Sequence, residues 1–127
     1  MIALKITTDC KIKKIDIQEP LYQTVKASLG GPLEILHPES FPSSFCMITA
    51  KEAIGKESSL NPVACYLYQA DIYENPIVGD VIVMRKKMTE NGIALIGLKE
   101  QEINTLTRSF NSVIAMIQQN MQLQEAL

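Results

Sequence analysis

The sequence predicts a single α+β domain. It should hold a mainly antiparallel sheet of about five or six strands, two short helices and one long C-terminal helix. Three observations carry that expectation. Short apolar stretches with strand character recur up to Leu98, separated by turn residues. From Lys99 to Leu127 the apolar residues instead return at spacings of three and four, the period of a helix face. The chain has 127 residues, 46% of them hydrophobic and 20% charged, which suits one core and leaves little room for a second.

The first seventeen residues read as a hairpin. Ile2, Leu4 and Ile6 alternate with smaller or polar residues, Thr7 to Cys10 supply a turn, and Ile15 and Ile17 mark the returning strand. Lys11, Lys13 and Lys14 make that second strand basic, which suits a sheet edge because charge discourages pairing with another chain. Pro20 can open a helix through Ser28, with Leu21, Val25 and Leu29 as one stripe. Gly30, Gly31 and Pro32 stop it. Leu33 to His37 and Phe45 to Thr49 read as strands around a Pro- and Ser-rich loop. Ala50 to Ser59 is polar and reads as a loop or a helical turn.

Asn61-Pro62 marks a helix start, Asn61 as cap and Pro62 in the first turn. Val63, Ala64, Tyr66, Leu67 and Ala70 would make this a short, mostly buried helix. Val81 to Met84 and Ile93 to Leu98 are apolar on both faces and read as central strands joined through Asn91-Gly92. In the last segment Ile103, Leu106, Phe110, Val113, Ile117 and Met121 form a long apolar stripe. That stripe can pack on the sheet, or its far end can pair with a second subunit as a homo-oligomer contact.

Composition excludes several classes. The formal net charge of -2 argues against a broad nucleic-acid surface. No segment is long and apolar enough to span a bilayer, so no membrane partner is expected. Cys10, Cys46 and Cys65 are odd in number and lack Cys-x-x-Cys spacing, which points to reduced thiols and a cytoplasmic location. With His37 as the one histidine, no metal site follows, and no cofactor motif is present.

Catalysis finds no anchor either. Cys46 or Cys65 would need a base, and nothing in the spacing brings His37 to them. Glu34 with Asp71 or Asp80 is a carboxylate pair that no spacing singles out. The expected function is therefore non-enzymatic binding, with no catalytic residue. Tyr66, Tyr68 and Tyr73 cluster in sequence, and Arg85, Lys86 and Lys87 follow the strongest strand. Aromatic faces stack on a base and basic groups neutralise phosphates, so together they could hold a nucleotide-like anion. The candidate ligand residues are Tyr66, Tyr68, Asp80 and Arg85, with Asn61 and Glu34 behind them. The structural alternative is that Asn61 caps a helix and Asp80 accepts hydrogen bonds in a turn.

Three elements resemble a small phage and mobile-element family of unknown function. Gly30-Gly31 followed by Leu33-Glu34-Ile35 resembles its GG-x-(I/L)-E element. Leu60-Asn61-Pro62-Val63-Ala64 with Leu67-Tyr68 resembles LN-x-x-A-x-x-LY, and Pro76 to Val83 resembles P-I-V-G-D-V-x-V. The resemblance covers roughly residues 2 to 106, and Lys99 departs from it where a capping Ser or Thr is expected. It implies a compact core over 1–107 with 108–127 as a helical extension. It also implies a mobile-element gene acting in the bacterial cytoplasm, where sequestering a nucleotide-like immune signal would counter host defence. The competing expectation is a protein-interaction module that engages a host or phage protein through the C-terminal helix.

Overall fold

The computed structural model describes residues 1–42, 44–50, 60–69 and 76–126. The expectations for 51–59, Ala70, Asp71, Tyr73 and the Met121 side chain lie outside the described residues. The fold is α+β, as the sequence predicts. Its described elements run β1 (Ile2–Ile6), β2 (Ile12–Asp16), α1 (Leu21–Leu29), β3 (Leu33–Leu36), β4 (Phe45–Ala50), α2 (Pro62–Tyr68), β5 (Val81–Thr89), β6 (Gly92–Ile96) and α3 (Glu100–Ala126).

One antiparallel sheet has the order β2-β1-β5-β4-β3, with β6 paired to β5 off that path. Val83 faces Leu4 of β1 on one side and Met47 of β4 on the other. Further along, Arg85 faces Phe45 of β4 and Ile96 of β6. Strands β1 and β6 therefore lie end to end along the same side of β5. Their junction is tight: Leu98 donates its backbone N–H to Ile2 O at 2.7 Å. Gly97 fits there because a Cβ would stand 2.9 Å from Met1 Cβ and 3.1 Å from Ile2 N.

Strand alternation sorts the core onto two faces. Leu4, Ile6, Met47, Val81 and Val83 belong to a cluster with α2 and α3. Ala3, Cys46, Ile48, Ile82 and Met84 belong to a second cluster with Val25 of α1. The stripe on α3 is spent mainly inside the chain. Ile103, Leu106 and Phe110 are buried, and Val113, Ile114 and Ile117 pack against the same cluster. Phe110, 1% exposed, is the largest of the fully buried side chains. Burying a side chain of this kind is worth about 1.5–3 kcal/mol, so the stripe anchors α3 to the sheet. Of the residues expected to meet a second subunit, Ile103, Leu106 and Phe110 are committed to the core, while Val113 and Ile117 are half-buried.

Local differences from the expectation have clear causes. Pro20 sits at the N-cap of α1 with an extended ψ of 131°, one position before the helix. Strand β5 runs to Thr89, past the expected end at Met84, because pairing with β6 carries the polar Arg85-Lys86-Lys87 run into the ladder. Strand β6 is not central. It pairs with β5 alone among the described strands, and its Ile93 is 43% exposed. Tyr66 is exposed, because α2 buries only Val63, Ala64 and Leu67. The basic strand β2 does lie at an edge. Gly30, at φ 84°, ends α1 as the double glycine predicts.

Candidate functional site

Helix α2 and helix α3 sit side by side on one face of the sheet. The loop between β3 and β4 closes the end of the trough they form. The result is a cleft of about 630 Å³, within the usual range for small-molecule sites, roughly 300–1,000 Å³. Its loop wall is Ser40, Phe41 and Pro42, with Phe45 at the start of β4. Its α2 wall is Tyr66 and Leu67. Helix α3 supplies the long wall, from Gln101 to Val113, which is about 18 Å at 1.5 Å per residue.

The α3 wall has two lines. Leu106, Phe110 and Val113 continue the apolar stripe, while Gln101, Thr105 and Ser109, four residues apart, present uncharged amide and hydroxyl groups. All three phenylalanines of the chain line the cleft. The Phe41 and Phe110 rings lie 6.0 Å apart with 34° between their planes, inside the range in which aromatic pairs attract. The Ser40 hydroxyl donates to Leu67 O at 2.8 Å and ties the loop to α2.

Glu102 is the one charged residue among the described lining positions. It is engaged twice. Its Oε1 accepts the Lys99 N–H at 2.8 Å, half of a capping box that closes the start of α3 without a Ser or Thr cap. Its Oε2 stands 3.2 Å from Arg85 Nε, an ion pair that lacks hydrogen-bond geometry. Arg85 thus lies behind the cleft wall with its charge already matched.

The sequence-predicted ligand residues divide. Tyr66 is on the cleft wall, and Arg85 reaches it through Glu102. Tyr68 is half-buried and packs against the core cluster. Glu34 is exposed on β3, opposite Thr49. Asp80 accepts the Thr8 N–H at 3.1 Å and pairs with Lys5 at 3.7 Å, holding the β1–β2 turn to the start of β5. Asn61 is fully buried. Its amide donates to Ile6 O and Gly79 O, each at 3.0 Å, and its Oδ1 accepts the Ala64 N–H at 3.1 Å. The basic run splits, since strand alternation sends Lys86 to the face opposite Arg85 and Lys87. Sequence reasoning missed Phe41, Phe45 and the Gln101–Thr105–Ser109 line. The four-residue spacing beside the apolar stripe was the available signal.

Two of the three thiols sit in settings that raise their pKa. Burial pushes the Cys46 thiol up to about 11, and its Sγ donates toward Met84 O. Burial and the nearby Asp9 also raise Cys10. The Cys65 Sγ accepts the Ile77 N–H at 3.3 Å. His37 faces Lys86 Nζ, 2.5 Å from its Nδ1, and burial together with that ammonium lowers its pKa. Among the described residues no group of three His, Cys, Asp or Glu is placed to hold a metal ion. No described helix is long and apolar enough to cross a membrane. Comparison with protein-family models, with curated proteins and with solved structures finds no match for this chain.

Proposed function

We propose that the protein is a non-enzymatic binding protein that holds a small molecule in the cleft between α2, α3 and the β3–β4 loop. The observation that carries this reading is the cleft itself. It gathers Phe41, Phe45, Phe110 and Tyr66 around about 630 Å³ of space, with hydrogen-bonding groups along one wall. Aromatic walls with a few placed polar groups are what a ligand pocket needs. The thiol and histidine settings support binding without chemistry, because a nucleophile needs a lowered pKa or an adjacent base. A nucleotide-like ligand fits through its flat base. In the mobile-element setting that the sequence resemblance implies, holding a nucleotide-like signal of host immunity is the proposed role.

The test is native mass spectrometry of the chain purified from bacterial cells, beside Thr105→Trp. Thr105 is exposed on the α3 wall, so an indole there fills the cleft and leaves the core alone. A co-purified small molecule carried by the wild type and absent from the variant is expected. A ligand retained equally by both would place binding elsewhere.

The alternative is a protein-interaction module that meets a host or phage protein through α3. Its surface is the end of the helix, since Ile103, Leu106 and Phe110 are already buried. Pull-down with and without residues 118 to 127 tests it, and unchanged partner recovery would remove it.

A further inference from the structure

The electrostatics of the cleft say more about its ligand than its shape does. Phosphate sites are built from cations, from free backbone N–H groups at a helix start, or from both. Among the described residues the cleft wall lacks the first, and acids offset the second. None of the described lining residues is Lys, Arg or His. The start of α3 opens beside the cleft, but its first turn carries its own acids, Glu100 and Glu102. Glu102 Oε1 takes the Lys99 N–H, so the positive end of the helix dipole is compensated from within. Arg85, behind the wall, is matched by Glu102 Oε2 at 3.2 Å. An anion entering the cleft would meet a carboxylate on the wall and lose its water for no counter-charge. A lone cation fares little better, because both Glu102 oxygens are engaged.

What remains is a site whose one described lining charge is already paired, with aromatic rings and a line of neutral hydrogen-bonding side chains. We infer that the part of the ligand seated in the cleft is an uncharged, flat aromatic group whose edge carries hydrogen-bonding atoms, and that the cleft discriminates against phosphorylated forms. The flat face packs against Tyr66 and Phe41, whose ring the buried Phe110 backs from the core. The polar edge meets Gln101, Thr105 and Ser109. A hydrogen-bonding wall separates such a ligand from a plain hydrocarbon, since an aliphatic guest leaves those groups dry and unpaired. This inference rests on the cleft being the binding site proposed above, and it revises the nucleotide-like expectation to a nucleoside-like ligand, recognised by its base and penalised for any phosphate.

The experiment is calorimetry on the full chain with matched probes: adenosine, guanosine and cytidine, their 5′-monophosphates, and decanol. At least one nucleoside is expected to bind tenfold or more tightly than its own monophosphate. A monophosphate binding tenfold more tightly than its nucleoside overturns the inference, while the cleft remains a ligand site. Binding of decanol alone overturns the aromatic class in the same way. If no probe binds, and Thr105→Trp co-purifies with the same molecules as the wild type, the binding reading itself fails. Glu102→Gln supplies the second arm. Glutamine at this position can still cap the helix, but it leaves the Arg85 charge unmatched. The nucleoside-over-monophosphate preference is expected to shrink at least fivefold in this variant. A preference that stays the same shows that Glu102 serves structure alone and overturns the electrostatic argument.

Discussion

Replacing Asn61 by alanine removes three hydrogen bonds from the interior at once. The side chain is 0% exposed, so water cannot take over as its partner. One of the three is the N-cap bond from Ala64 N–H to Oδ1. Losing such a cap costs about 1 kcal/mol, within a range of roughly 0.5–2. The other two run from the amide to Ile6 O and Gly79 O. Each net bond is worth about 1 kcal/mol, and a stranded buried partner raises the cost further. The sum is about 3 kcal/mol. For a domain of this size that corresponds to about 12 °C in Tm. Urea denaturation followed by circular dichroism measures it. Asn61→Asp is the sharper variant. It keeps the cap acceptor but aims a buried carboxylate at two carbonyl oxygens, so at pH 7 it should fall further than alanine and recover part of the loss on acidification. A loss below about 1 kcal/mol for Asn61→Ala, or an aspartate variant as stable as wild type, would refute the account of this residue as the pin joining β1, α2 and the turn before β5.

Gly97→Ala forces a Cβ to 2.9 Å from Met1 Cβ and 3.1 Å from the Ile2 backbone, which should cost about 1–3 kcal/mol in the same assay. Cys46, with its thiol at about 11, holds about one thiolate in a thousand at pH 8. A disulfide reagent should therefore modify it only after unfolding, and rapid labelling of native Cys46, located by peptide mapping, would contradict this. His37 is held below its ordinary value by burial and by Lys86, so the unfolded chain takes up its proton first. That contribution to stability is whole above about pH 6.5 and drains as the pH falls through the lowered folded value. Between pH 7.5 and 5.0 the wild type should lose more Tm than His37→Asn does, and equal losses would remove His37 as the cause.

Much of the fold was legible because its signals are local. The β1–β2 hairpin follows from alternation around Thr7–Cys10, and α3 follows from a stripe at three- and four-residue spacing. The Asn61-Pro62 pair announced the cap of α2. What the chain could not announce was where the other half of Asn61 goes, since Ile6 lies 55 residues away. The same holds for Asp80, whose partner Thr8 is 72 residues distant. A turn residue and a tie between strands look alike in one dimension. Strand β5 was read short because Arg85-Lys86-Lys87 resembles a solvated end. Pairing with β6 overrides that local preference.

The site was less legible than the fold. Tyr66 was found from clustered tyrosines, yet it shares the cleft with Phe41, Phe45 and Phe110, which belong to three other segments. Arg85 was read as a phosphate ligand because a sequence shows its charge and hides its partner. Glu102 occupies that charge from α3, 17 residues further on. Tyr68 and Arg85 therefore contribute packing and charge balance, while the wall facing the cleft comes from the loop and from α3.

The central claim is that the cleft between α2, α3 and the β3–β4 loop is where a ligand binds. Methyl NMR on the full chain tests it most directly, using whichever nucleoside binds in the calorimetry. The account predicts shift changes concentrated at Leu67, Leu106 and Val113, which line the cleft. The methyls of Ala3, Ile48 and Ile82, on the opposite face of the sheet, should stay in place. Changes gathered on that opposite face, with Leu67, Leu106 and Val113 unmoved, would contradict it.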